Sequence, residues 1–188
     1  MHIQPAHEEE IMGYRLYISE ESEQAIQRVT GINKDKQALS TAAVCCVSMM
    51  VERMLDLSFP PELCAYFAEH SGALTDDTGF YLLSGAIAGR FSLKHRICDE
   101  ENAMAWIRDG AKAIVRYRYQ PDGQMRYYLI DQYCNGTIYV INPSIQQGKG
   151  MSRSNKRLIQ INDEYMMIPS ESYRVFFPEN AQYFIFSV

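Results

Sequence analysis

The pattern of apolar and polar positions changes character at Gly110. Before it, apolar residues recur at helical spacing; after it, they come in short strand-like runs. Met12 to Ile18, with Tyr14, Leu16 and Ile18 alternating, predicts a strand, and Glu20 to Thr30 a helix stopped by Gly31. The strongest helical stretch is 40–56, where Val44, Val47, Met50, Val51, Met54 and Leu55 fall three and four apart. Ser40 or Thr41 can cap it, because a hydroxyl accepts from the free N–H groups of a first turn. Ala42, Ala43, Cys45, Cys46 and Ser48 keep its first two turns small and apolar nearly all round, the mark of a buried helix start. Phe59-Pro60-Pro61-Glu62 opens a second helix, with Leu63, Tyr66 and Phe67 expected inward and Gly72 as its stop. A third helix is predicted over 79–89, a strand over 91–97, and a fourth helix over 100–109, capped by Asp99.

Beyond Gly110, strands are predicted over 113–119, 125–133 and 137–141, joined by the turns Pro121-Asp122-Gly123 and Asn135-Gly136. Residues 145–157 carry Lys149, Arg153, Lys156 and Arg157 with no acid, and are expected as a long surface loop. The runs 157–161, 165–168, 173–177 and 183–188 read as further strands. Helices followed by an antiparallel sheet predict an α+β fold in one domain over 1–188, with 1–12 a loose polar arm.

Composition narrows the function classes. The 188 residues are 47% hydrophobic and 22% charged, as in an ordinary globular domain, which excludes global disorder. The net charge of −5 argues against a nucleic-acid footprint and against adhesion to anionic lipid. No apolar run reaches the roughly 20 residues of a membrane helix, and the first residues lack the basic and apolar regions of a secretory signal. The five cysteines, Cys45, Cys46, Cys64, Cys98 and Cys134, are an odd number, and the adjacent pair cannot easily bridge itself. They are expected as reduced thiols in a cytoplasmic protein. Their spacing suits no zinc site, and no metal or cofactor is expected.

Several strings resemble the papain-like cysteine peptidase superfamily, and within it the peptidase C39-like group. Residues 91–97, 99–110 and 113–115 look like that group's connector into its central strand. Arg126 to Tyr133, Asn135-Gly136 and Tyr139-Val-Ile-Asn-Pro143 look like its histidine strand, hairpin and orienting-residue strand. The likeness covers about residues 37–144. It implies a papain-like fold, N-terminal helices packed on a C-terminal antiparallel sheet, and it assigns chemical slots. Gln37 fits the oxyanion donor and Ala43 falls in the nucleophile slot. Arg126 falls where the histidine belongs, and Asn142 where the orienting residue belongs. Alanine has no nucleophile, and a guanidinium is no base near neutral pH. Of the histidines, His2, His7, His70 and His95, none lies on the expected strand.

The resemblance therefore implies a degenerate, catalytically inactive papain-like domain that binds a peptide or protein segment in the former substrate groove. Gln37, Ser40, Arg126, Tyr127 and Asn142 are the expected binding residues, with Arg126 held by Asp76, Asp77, Asp131 or a ligand carboxylate. Restoring turnover is expected to need at least Ala43→Cys with Arg126→His. The alternative is an active thiol peptidase, amidase or acyl transferase seen as an Ala43 variant, or one using Cys45 or Cys46 as a shifted nucleophile. A scaffold without a groove ligand is a third reading. Each feature also has a plain one. Cys45 and Cys46 are small packing residues, Ser40 a cap, Gln37 a loop residue and Asn142 a turn residue. The tyrosines from Tyr117 to Tyr139 pack the sheet, and Asp76-Asp77 and the cationic loop are solvated.

Overall fold

In the computed structural model, residues 39–73, 78–143, 153–162 and 164–188 are described. The arm, the strand and helix expected between 12 and 30, and the residues Gln37, Asp76 and Asp77 lie outside them. Helix α1 spans Thr41–Leu55, where Ser40 Oγ accepts from the Ala43 N–H at 3.2 Å and Asp56 turns the chain out with φ 50°. Its residues 43–52 are all buried. The 57–60 turn is stitched back onto it: Glu52 Oε1 accepts from Phe59 N–H at 2.8 Å, and Ser48 Oγ donates to the Phe59 carbonyl.

Helix α2 (Pro61–His70) packs on α1 through Cys64, Ala65 and Ala68. This corrects the expected inward face, since Leu63 and Tyr66 are 46% and 48% exposed while Phe67 is half-buried. Small residues let the two helices approach closely, and the larger ones are displaced to the outside. Helix α3 (Gly79–Phe91) runs past Gly89 and ends where Ser92 takes φ 54°, so β1 begins only at Lys94 (Lys94–Cys98). Asp99 caps α4 (Glu100–Arg108) by accepting from Asn102 N–H at 3.1 Å.

Then come β2 (Lys112–Arg118), β3 (Met125–Cys134) and β4 (Thr137–Ile141). The Asn135-Gly136 turn has φ 49° and 79°, the double left-handed geometry that matches the twist of a two-residue hairpin. Arg153–Arg157 forms a short helix, α5, rather than loop, and the strand after it is confined to β5, Gln160–Ile161. β6 covers Met166–Pro169 and β7 covers Gln182–Ser187. The expected strand over 173–177 is instead a 3-10 turn, Tyr173–Val175. Buried Tyr173 and Phe177 plug one face of the sheet there, a role met by local coil as well as by extended chain.

Among the described residues, seven strands form one antiparallel sheet in the order β1-β7-β2-β3-β4-β6-β5. Successive strand residues face opposite sides, which splits the core in two. Helices α1, α2 and α3 cover the face bearing Ile114, Tyr127, Leu129, Ile141, Phe184 and Phe186. Helix α4 and the Tyr173 turn cover the face bearing Val115, Ile130, Ile138, Val140, Tyr183 and Ile185. The fold is α+β, as the order of elements predicts.

Candidate functional site

Helix α1 lies along β3, and named contacts fix its direction. Arg53, near the C-terminal end of the helix, bonds Asp131 on β3 at 2.7 Å. The N-terminal turns share a core with Met125 and Tyr127 of β3. The helix start is therefore over the first residues of β3. Ala43 is wholly buried in the first turn, in one core with Met125 and Tyr127 of β3 and Ile141 of β4. Asn142, 5% exposed, follows Ile141, which pairs with Leu129, so it sits beside β3 as well. Thus Ala43 and Tyr127 share the core under the α1 face, while Asn142, one residue past Ile141, falls at the parity of β4 that alternates away from α1.

Arg126 does not join them. It alternates with Tyr127, so its side chain leaves the sheet on the opposite face. There it ion-pairs with Asp122, four residues back across the turn, and lies 5.1 Å over the Tyr119 ring. Asp131, one of the carboxylates expected to hold it, pairs instead with Arg53 and Lys112, while Asp76 and Asp77 lie outside the described residues. Because the strand period is two, a one-residue difference in register exchanges the face of every side chain. Tyr127, not Arg126, is the residue at this point of β3 that is turned toward α1. Its ring packs against Phe80 of α3 with centroids 5.0 Å apart.

The thiols near the helix start are poorly suited to nucleophilic work. Cys45, Cys46 and Cys64 are fully buried. Burial, with the neighbouring Cys45, pushes the Cys46 and Cys64 thiols well above the usual range. A nucleophile must be a thiolate, which needs the opposite shift. The described histidines are occupied elsewhere. His70 Nδ1 is bonded to the Tyr66 carbonyl at 2.9 Å on an exposed helix end. His95 is on edge strand β1, stacked on Phe184 and Phe186, and burial lowers its pKa. Three strand spacings, about 14 Å, separate β1 from β3. Among the described residues, no three His, Cys, Asp or Glu side chains converge as metal ligands, and no helix is long and apolar enough to cross a membrane.

Sequence reasoning missed a charged cluster at the far end of α1. The β3–β4 pairing slips between Ile130 and Gln132, leaving Asp131 as the bulged residue. Asp131 continues the alternation of Tyr127 and Leu129, which sets it on the α1 face. Its carboxylate accepts from Arg53, from Lys112 of β2 and from the Tyr165 hydroxyl at 2.7 Å. Arg53 also bonds Glu164 at 2.8 Å. Burial alone raises the Asp131 carboxyl, but Lys112 and Arg53 outweigh it and hold the group below the usual carboxylate range. A cleft of about 460 Å³ opens beside this cluster, lined by Arg53, Trp106, Asp109 and Lys112 among others. No spacing motif announces such a cluster; its members come from α1, β2, β3 and the 164–165 segment.

No family model matches the sequence, and no curated protein matches it. Among solved structures, the chain is similar to the peptidase domain of Streptococcus ComA, a bi-functional ABC transporter involved in a quorum sensing pathway. That match has 7% identity and a TM-score of 0.48, covering 81% of this chain and 98% of that one. It is also similar to the Pseudomonas avirulence protein AvrPphB, at 8% identity and TM-score 0.44, covering 79% of this chain and 92% of that one. At such identity and TM-score neither likeness bears on this chain's chemistry.

Proposed function

We propose that the chain is a papain-like scaffold without the thiol reaction, used to bind a peptide or protein segment where α1 meets the start of β3. The observation that carries this reading is the helix start itself. Ala43 stands fully buried in the first turn, capped by Ser40 and in one core with Tyr127. A helix N-terminus there favours negative charge, and in a thiol enzyme it would support a thiolate. The position instead carries a methyl group, Cys45 and Cys46 are buried, burial pushes the Cys46 thiol up, and β3 turns a phenol toward the helix. What remains is a packed frame for holding an extended segment by backbone hydrogen bonds.

The test is iodoacetamide labelling of the native chain near neutral pH, read by intact mass and peptide mapping. Slow labelling led by exposed Cys134 supports the reading. Fast, selective modification of Cys45 or Cys46 would instead identify an activated thiol and an enzyme.

A further inference from the structure

We propose that the open edge of β1 is a second docking site, taking an extended peptide in which acidic and apolar residues alternate. β1 ends the sheet, and among the described residues it pairs only with β7. Its outer side therefore offers a row of backbone donors and acceptors. The side chains divide by face. Lys94 and Arg96 point to the α4 side, where the Arg96 guanidinium stacks 3.7 Å over Trp106 and Lys94 Nζ donates to the Val188 carbonyl at 3.0 Å. His95 and Ile97 point to the other side, where Ile97 pairs with Phe184 and is 42% exposed, close to exposed Tyr81.

Among the described residues, Lys94 and Arg96 form no ion pair, and neither does exposed Arg90 at the end of α3. The acids that follow β1 are engaged: Asp99 caps α4, and Glu100 pairs with Arg174. An added strand would thus meet uncompensated positive charge on one face and uncovered apolar surface on the other. Acids at alternate positions answer Lys94 and Arg96, and β-branched residues between them cover Ile97 and Tyr81. A second copy of this chain fits badly, because two such edges set antiparallel would bring like charges together. The site is separate from the α1 end of β3, so its failure leaves the proposed function standing.

The probe is a fluorescein-labelled Glu-Val-Glu-Val-Thr-Val peptide, titrated by anisotropy against the full chain at low salt. Saturable binding is expected, with slowed amide exchange over residues 94–98. The Lys94→Gln, Arg96→Gln double variant should weaken it about three- to tenfold, the worth of two exposed ion pairs. N-methylating alternate amides should abolish binding in one frame and spare it in the other, because only one set faces the edge. Equal binding of a Glu-Glu-Glu-Val-Val-Val control, indifference to the frame of methylation, or unchanged exchange at 94–98 would overturn the proposal. The two cations would then serve only to keep the edge from pairing.

Discussion

Replacing Asp131 with alanine tests whether the cluster at the end of α1 is a clasp or decoration. The Asp131 and Arg53 side chains are each 6% exposed, and Lys112 is 15% exposed. Removing the carboxylate leaves two cations facing each other behind the sheet bulge, with Glu164, 41% exposed, as a weak remaining partner for Arg53. Breaking a buried pair by deleting one member costs about 3–5 kcal/mol, because the surviving charge is stranded. That is a large share of the roughly 5–15 kcal/mol that holds a domain folded. Urea unfolding followed by Trp106 fluorescence and far-UV circular dichroism measures it directly, with the m-value unchanged if only stability is affected. A loss below about 1 kcal/mol would refute the reasoning and mean that water reaches the cluster and replaces the carboxylate.

The same group sets a pH dependence whose sign follows from its lowered pKa. The folded state binds the Asp131 proton less readily than the unfolded chain, whose carboxyl titrates near ~4. Its stabilisation is therefore fully present above that unfolded value and is lost as pH falls through the lower folded one. In Asp131→Ala the acid limb of the stability curve should be shallower than in the parent.

Three other outcomes are expected. Ser40→Ala should cost about 1 kcal/mol through the lost cap on Ala43 N–H, while Ser40→Gly should cost only a few tenths; equal losses from both would assign the effect to side-chain contacts instead. Gly136→Ala should destabilise by about 1–2 kcal/mol although nothing lies within 4 Å of the added methyl, since its φ of 79° penalises any Cβ; an unchanged urea midpoint would disprove this. Tyr165→Phe should lose about 1–3 kcal/mol, and in a double-mutant cycle with Asp131→Ala the two losses should not add, because the hydroxyl donates to that carboxylate.

The sequence made the elements legible where local chemistry decides them. The 40–56 helix, the Asp99 cap and the Asn135-Gly136 hairpin follow from spacing, capping and turn residues, and each is found within a residue or two. The failures share a cause: tertiary context chose among locally equivalent options. Tyr173 to Phe177 is as apolar as a strand, but its task is to seal a face of the sheet, so it coils. In α2 the small residues won the interface from Leu63 and Tyr66 because the helices approach closely. Arg126 was the costliest error. Alternation along β3 was readable, but which parity faces α1 is decided by packing against α1, α2 and α3, whose residues are distant in sequence.

That parity changes what it would take to build thiol chemistry here. On the sequence alone, Ala43→Cys with Arg126→His is the least change that should give turnover. In the structure a histidine at 126 would stand beside Tyr117, its cross-strand partner, with the sheet between it and α1. It could not take a proton from a thiol at position 43, since general base catalysis needs hydrogen-bond reach. Ala43→Cys with Tyr127→His places the imidazole on the correct face, at the cost of the Tyr127 contact with Phe80. Thiolate absorbance against pH, together with hydrolysis of an activated thioester, separates the pairs. The 127 pair should show a thiolate titrating below the usual thiol range and faster acylation than Ala43→Cys alone. The 126 pair should match the single variant in both. Turnover by the 126 pair alone would mean that β3 presents the other face to α1 and that the site has been built on the wrong residues.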